Sequence, residues 1–159
     1  MTTWTPFVLD APLNERMLCL EASAGTGKTY TIEGLITRLI IEEGIEINEL
    51  LVVTFTRAAT AELRTRIRSV LEVTRQVLEQ GDDSSFEGEL HAVVPILMGN
   101  IDNKTKALRA IHRAIEGFDE AQISTLHGFC QRALQEHAFE SGVPFEVELV
   151  QSTDTLLQE

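Results

Sequence analysis

Glu21-Ala-Ser-Ala-Gly-Thr-Gly-Lys-Thr29 is the stretch that decides the fold of this chain. A short apolar run, 17–21, leads into it, and apolar residues recur at helical spacing across 28–43, after which Gly44 is a plausible stop. The small residues allow the backbone to curl so that successive N–H groups point at one anion, and the following helix adds its positive dipole end. The stretch therefore predicts a strand, a phosphate-binding loop and a helix.

The predicted nucleotide contacts form one continuous run. They are Ala22, Ser23, Ala24, Gly25, Thr26, Gly27, Lys28, Thr29 and Tyr30. Lys28 offers a point charge to terminal phosphates and Thr29 offers a hydroxyl to Mg²⁺, so these two are the predicted catalytic residues and Thr29 the predicted metal ligand. ATP and Mg²⁺ are thus the expected cofactors. The loop alone fits kinases, GTPases, transporter ATPases and motors equally, and it departs from the usual spelling because Ala22 replaces the first glycine.

A second apolar run, 50–55, predicts another buried strand, and a long helix pattern follows over 58–79. This strand delivers Thr54, Phe55 and Thr56 to the carboxyl edge of the predicted sheet, where ligands of α/β proteins bind. Phe55 offers a flat face on which a base can stack, and the threonine hydroxyls can meet phosphates. Phe55 could instead fill the core, as aromatic residues after buried strands usually do.

A third signal is the run Ser124-Thr-Leu-His-Gly-Phe-Cys-Gln-Arg132. It joins a predicted strand, 122–126, to a predicted helix, 127–139, which Gly142 and Pro144 should end. His127 and Cys130 are three residues apart, but zinc needs more ligands than this pair, and Cys130 lies in an apolar segment unsuited to a reactive thiolate. The run therefore predicts a polar strand-to-helix turn rather than a metal or nucleophile site.

The three segments, in this order, resemble superfamily 1 DNA helicases of the UvrD and Rep type, and most narrowly the RecB family, the beta subunits of exodeoxyribonuclease V. In that family the segments correspond to the Walker A motif and to two motifs that contact single-stranded DNA. The resemblance also rests on Phe139-Glu-Ser-Gly142. It implies the following DNA contacts: Thr54, Phe55, Thr56, Arg57, Thr125, His127 and Gly128.

The resemblance implies an α/β fold, a RecA-like P-loop NTPase with a parallel sheet flanked by helices. Residues 1–159 would be the N-terminal part of a UvrD-like ATP-binding domain, an incomplete motor domain, with a helical insertion at roughly 80–118 between the second and third strands. The complete subunit would use ATP hydrolysis to pull one DNA strand in the 3′-to-5′ direction. It would act at DNA ends with RecC-like and RecD-like subunits in double-strand-break repair and would carry a C-terminal nuclease.

Composition narrows these expectations. The formal net charge of −12 argues against DNA binding through bulk electrostatics, so contacts must be local, at Arg57–Arg75 or at Lys104–Arg113. No apolar run is long enough for a membrane span, so no membrane partner is expected. The two cysteines, Cys19 and Cys130, lie in apolar segments and predict buried, reduced thiols in a cytoplasmic protein.

The sequence also leaves other functions open. UvrD, Rep or AddA-type helicases share the motifs and would lack or differ in the C-terminal nuclease. A small nucleotide kinase would need a second substrate site, and the Thr-Phe-Thr and His-Gly-Phe segments argue against it. A nucleotide-dependent scaffold would show no DNA-stimulated ATP turnover. Adenine selectivity is a separate question, because Asn14 is the nearest amide to the loop where these helicases often place a glutamine.

Asp119-Glu-Ala-Gln122 matches the acidic D-E-x-Q motif of superfamily 1. A Walker B pair should follow several apolar strand residues, whereas Ile115-Glu-Gly-Phe118 precedes this one, and in the family the motif comes after His-Gly-Phe. We therefore expect Asp119 and Glu120 in a solvent-facing turn. Residues 1–159 alone should bind nucleotide without turning it over.

Overall fold

The structure is a computed structural model that describes residues 7–13, 17–23, 25–80, 89–99, 101 and 103–137. The helices are α1 (Lys28–Arg38, continued by a π-helical turn at Leu39–Glu43), α2 (Arg57–Gln80), α3 (Glu89–Gly99), α4 (Lys104–Glu116) and α5 (Leu126–Glu136). The strands are β1 (Leu51–Thr54) and β2 (Gln122–Thr125), and short 3₁₀ turns lie at Ile47–Glu49 and Phe118–Glu120. Within the described part of the chain, every helix is too short or too polar to cross a bilayer.

The two strands lie side by side and parallel, with Leu51 opposite Gln122 and Thr54 opposite Thr125. Parallel neighbours need a crossover connection, which here contains α2, α3 and α4. Because the strands are parallel and in this register, their carboxyl ends meet at one edge. The prediction of helices combined with a parallel sheet is confirmed for these two strands.

Most predicted elements are confirmed with small changes of boundary. The helix from Lys28 ends at Gly44, which adopts a left-handed conformation with φ 74°, as its position at the end of the apolar pattern predicts. The long pattern after the second run forms α2, and the last predicted strand forms β2. The polar break at 81–85 and the helix stops at Gly142 and Pro144 lie outside the described residues.

The core lies between helices rather than within the sheet. Ile67, Val70, Leu71 and Leu78 on one face of α2 are each 0% exposed. Ile67, Leu71 and Leu78 pack against α1 and α4, from which Ile111 contributes another side chain without exposed surface. Val70 packs instead with Leu9 and Leu97. The periodicity of apolar residues predicted this buried stripe of α2 because positions three and four apart share a helix face.

The expected strand at 17–21 is not present. Residues 17–20 form no strand, and the side chains of Met17, Leu18 and Leu20 are exposed. An apolar run needs a hydrogen-bonded neighbour to become a strand, and among the described residues only β1 and β2 pair. The run itself does not encode that neighbour.

The expectation that the second run is a fully buried strand is also wrong. Val52 packs against the core, next to Ile123 of β2, but Leu51 and Val53 on the other face are 46% and 44% exposed. Successive side chains of a strand point to opposite faces. The described helices cover one of those faces, so half of the apolar strand remains in contact with solvent.

Both cysteines are exposed, which contradicts the prediction of buried thiols. Cys19 lies in the exposed segment that forms no strand, and Cys130 lies on α5, which has no buried residue. The apolar neighbours of each thiol predicted burial, but burial also requires an opposing surface, and none of the described residues supplies one.

Candidate nucleotide and nucleic-acid site

The predicted phosphate loop has the backbone shape that its glycines allow. Gly25 and Gly27 adopt left-handed conformations with φ of 76° and 88°, a region that side chains disfavour. Gly27 is the residue before the first turn of α1 and provides no side-chain cap, while the N–H of Thr31 donates to its carbonyl at 2.9 Å. The first N–H groups of α1 are therefore not occupied by a capping side chain, as an anion site at a helix N-terminus requires.

The charge of Lys28 lies over this loop. Its ammonium group donates to the carbonyl oxygen of Ala22 at 2.9 Å and to that of Ser23. The Thr26 hydroxyl also donates to the Ser23 carbonyl, at 2.7 Å, and stabilises the turn. The lysine is exposed and has no carboxylate partner among the described residues, so its positive charge remains available to phosphate oxygens.

Thr29 and Tyr30 lie half-buried in the first turn of α1. Burial raises the pKa of the Tyr30 phenol above its usual value of 10.0, because desolvation disfavours the charged phenolate. Within the described residues, no three His, Cys, Asp or Glu side chains come together as a metal site. Thr29 would contribute a single hydroxyl ligand, which suits Mg²⁺ held mainly by phosphates and water.

A cavity of about 450 Å³ lies beside the loop. It is lined by Phe7, Leu20, Glu21, Ala22, Ser23, Thr26, Lys28, Thr31 and Ile32. Four predicted nucleotide contacts therefore come together in it, whereas Gly25, Gly27, Thr29 and Tyr30 do not line it, and Ala24 lies outside the described residues. Phe7 was not predicted to lie here, because its position in the chain carries no local signal for this cavity.

The sheet edge predicted to contact DNA is built from two matching strand-to-helix turns. Thr54 and Thr125 are opposite each other at the ends of β1 and β2. The Thr56 hydroxyl accepts from the Ala59 N–H at 3.1 Å, and the Thr125 hydroxyl accepts from the Gly128 N–H at 3.1 Å. Each threonine thus caps a helix, and two helix N-termini meet at one edge, a favourable setting for phosphate.

The two threonine hydroxyls that cap helices can still donate a hydrogen bond to a ligand. The Thr56 and Thr125 oxygens accept from the backbone, which leaves each hydroxyl hydrogen able to donate to a phosphate. Thr54 differs, because its hydroxyl contacts the Thr56 carbonyl at 3.0 Å and the Thr60 hydroxyl at 2.7 Å. Thr54 therefore stabilises the turn, and its predicted contact with DNA competes with these internal bonds.

Phe55 projects from this turn with 85% of its surface exposed. The alternative interpretation, that Phe55 fills the core, is wrong for the described structure. An exposed aromatic ring of this size gains little from folding and offers a face to a flat ligand. His127, in the neighbouring turn, is also exposed.

A second cavity, of about 600 Å³, opens between α2 and α5 at the same edge. Its lining consists of Arg57, Thr60, Ala61, Ser124, Thr125, Gly128, Gln131, Arg132 and Gln135. It brings together three predicted DNA residues, Arg57, Thr125 and Gly128, but not Thr54, Phe55, Thr56 or His127. Gln131, Arg132 and Gln135 were missed, although their helical spacing from Gly128 signals a shared face.

The arginines of α2 divide into structural and available groups. Arg64 donates to the carbonyls of Phe118 and Ala121, and Arg66 pairs with the buried Glu33. Two others form pairs along the helix, Arg68 with Glu72 and Arg75 with Glu79. Arg57 alone among the five makes no hydrogen bond or ion pair within the described residues. The charge available on α2 is therefore concentrated at the sheet edge.

The second basic stretch, on α4, lies elsewhere. Arg113 pairs with Glu46 at 2.9 Å, and Gly117 approaches the side chain of Ile47, just before β1 begins. These contacts belong to the amino ends of the strands, opposite the edge that carries Phe55. A strand of DNA bound at the carboxyl edge would not meet this surface.

The acidic match at Asp119 and Glu120 lies in the 3₁₀ turn just before β2. Both side chains are exposed, and the Glu120 carboxylate accepts from the Asn48 amide at 3.3 Å. The predicted solvent-facing turn is confirmed. The pair lies at the amino end of β2, whereas the helix N-termini described above lie at its carboxyl end.

Comparison with known proteins finds relatives that match most of this chain. The chain is similar to RecBCD enzyme subunit RecB of Escherichia coli strain K12, with 43% identity over 158 residues, 93% of this chain and 13% of that protein. The corresponding subunit of Haemophilus influenzae is 39% identical over 92% of this chain and 13% of its own length. That of Mycobacterium tuberculosis strain H37Rv is 36% identical over 88% of this chain and 12% of its own length.

The chain thus spans about one-eighth of the length of these relatives. The family model described as the UvrD/REP helicase N-terminal domain matches residues 9–159, nearly the whole chain. The match includes the phosphate loop, both strand-to-helix turns and the helices between them. The chain belongs to the UvrD/REP helicase N-terminal domain family.

Proposed function

We propose that this chain is the ATP-binding part of an ATP-dependent DNA helicase subunit of the RecB type. The observation that carries the proposal is the left-handed Gly25–Gly27 loop followed at once by Lys28 and Thr29 at the start of α1. Lys28 would bind the terminal phosphates of ATP and Thr29 would bind Mg²⁺. When bound, ATP supplies the free energy of phosphoryl transfer to water.

The remaining site assignments are part of this proposal. Ala22 to Tyr30 would surround the phosphates, and the edge formed by Thr54–Arg57 with Thr125, His127 and Gly128 would hold single-stranded DNA. Two observations support that assignment: Phe55 is exposed, and Arg57 forms no ion pair with the residues that the structure describes. The chain would be the N-terminal part of a RecA-like motor domain, with α3 and α4 inside a helical insertion at roughly 80–118.

The relatives support a proposal about the role of the complete protein. Their name describes one subunit of a multi-subunit enzyme, which supports RecC-like and RecD-like partners for the complete protein. We propose that it acts on DNA ends in double-strand-break repair as a helicase and nuclease, and therefore in the cytoplasm, where ATP and chromosomal DNA are present.

The test is calorimetric titration of ATP with Mg²⁺ into the complete protein carrying Lys28→Ala. We expect ATP binding to be abolished because the substitution removes the fixed positive charge over the loop. Lys104→Ala, an exposed lysine on α4, is the matched control and should bind ATP like the wild type. Unchanged affinity in Lys28→Ala would contradict the proposal.

A further inference from the structure

The cavity beside the phosphate loop is lined by two chemically different groups of residues. Lys28, Ser23 and Thr26 supply charge and hydroxyl groups, whereas Phe7, Leu20 and Ile32 supply apolar surface. Inorganic polyphosphate would use only the first group. A ligand with a polyanionic end and a flat, weakly polar end would use both, and the volume of about 450 Å³ is within the range of small-molecule sites.

Phe7 reaches this cavity because the segment that carries it is fastened to α1. The guanidinium of Arg38, only 3% exposed, donates to the carbonyl oxygens of Leu9 at 2.5 Å and Ala11 at 2.6 Å. Glu42 accepts from the other side of the same guanidinium at 2.6 and 2.7 Å. A planar arginine bound in this bidentate way holds both partners in a fixed geometry.

Packing fixes the same segment. Leu9 is buried against Val70 and Leu97, and Phe7 packs against this cluster. Leu9 also lies so close to Gly34 that an added Cβ there would be 2.5 Å from a leucine methyl carbon. The side chain of Phe7 is thus positioned by buried contacts while remaining partly accessible to the cavity.

We propose that Phe7, with Leu20 and Ile32, forms the wall against which the base of the bound nucleoside triphosphate packs. This inference rests on the proposed ATP site at Lys28 and Thr29 and adds the residue that contacts the base. Aromatic rings stack on any base, because every base has a π face. Phe7 therefore contributes affinity for the nucleoside part of the ligand and not for its phosphates.

The experiment compares two ligands, ATP and tripolyphosphate, each titrated with Mg²⁺ into the complete protein by calorimetry. In Phe7→Ala we expect ATP affinity to fall about 5- to 100-fold, the range expected for one lost stack. Tripolyphosphate affinity should not change. Phe7→Tyr keeps the flat ring and should bind both ligands like the wild type, and Val8→Ala, an exposed neighbour that does not line the cavity, is the matched control.

If Phe7→Ala does not fold, Phe7→Leu provides the same comparison, because leucine keeps apolar bulk against the Leu9 cluster and lacks a ring. Unchanged ATP affinity, or equal loss for both ligands, would overturn the base wall. The base wall would also be overturned if the wild-type protein bound ATP no more tightly than tripolyphosphate. That result would leave the proposed phosphate-binding role of the loop unchanged. Wild-type protein that binds neither ligand would overturn the ATP site itself.

Discussion

The helical body and the carboxyl edge of the sheet use their apolar residues in opposite ways. In the body, Ile67 of α2 and Ile111 of α4 have no exposed surface and pack against each other's helices. At the edge, Phe55 is 85% exposed, and Leu126, in the neighbouring turn, is 41% exposed. Burial in the body supplies folding free energy, whereas the exposed ring at the edge supplies surface for binding. Substitutions in the two regions should therefore have separable effects.

The largest effect is expected in the body. Ile67→Ala should lower the opening free energy of α2 by about 2–5 kcal/mol, because it removes buried methyl groups and leaves a cavity. Hydrogen–deuterium exchange of α2 amides in the complete protein measures this quantity. Leu134→Ala on α5, where the side chain is 42% exposed, is the control and should change it by no more than about 0.5 kcal/mol. Equal changes in the two variants would break the contrast between the regions.

An intermediate effect is expected at the edge. Phe55→Ala should weaken single-strand DNA binding by about 1–3 kcal/mol through the loss of one base stack. It should leave the exchange of α2 amides unchanged, since 85% of the Phe55 surface is exposed and the ring is not part of the core. Fluorescence anisotropy with a labelled oligonucleotide measures the affinity, and Phe55→Trp should retain it. If Phe55→Ala preserved both affinity and DNA-stimulated ATP turnover, the ring would have no role in DNA binding.

Salt dependence sharpens the same test. Arg57→Ala should make DNA affinity less sensitive to salt because one phosphate contact, and its released counterion, is lost. Arg75→Ala is the matched control on the same helix, where the side chain pairs with Glu79 at 2.9 Å and lies far along α2 from the edge. If both variants showed the same decrease in the slope of log DNA affinity against log salt concentration, the sheet edge would have no special role in binding phosphate.

The smallest effect is expected for the acidic match. Asp119→Asn with Glu120→Gln should leave ATP turnover by the complete protein unchanged, because both side chains are exposed in the turn before β2. Residues 1–159 alone should show no turnover with Mg²⁺ and single-stranded DNA. Turnover by this fragment that survives purification and disappears in the double variant would show that the pair is catalytic.

Local patterns predicted the helices and the loop well. The apolar stripe of α2, the stop at Gly44 and the glycine conformations at Gly25 and Gly27 depend on residues a few positions apart. The same local reasoning failed for 17–21, since a strand exists only with a neighbour. It also failed for Cys19 and Cys130, because an apolar neighbourhood in sequence is not an opposing surface in space.

The candidate site also has features that the sequence predicted and features that it did not. The sequence motifs around Lys28, Phe55 and Thr125 predicted the loop and the two strand-to-helix turns. The contacts in the structure add a second role for two of the predicted residues, because the Thr56 and Thr125 hydroxyls also cap helices. No pattern of residues predicted that Arg66 pairs with Glu33, 33 residues away.

By itself, the sequence determined which segments form helices, where the glycine-rich loop before α1 lies and which family the chain resembles, because these features depend on neighbouring residues or on motif order. Only the tertiary structure decided that the strands meet with Thr54 beside Thr125 and that Arg57 forms no ion pair with any other described residue. It alone brought Phe7 to the loop, through contacts between Arg38 and a carbonyl 29 residues earlier. Such contacts are chosen by the shape and burial of whole surfaces, for which no short pattern of residues provides a signal.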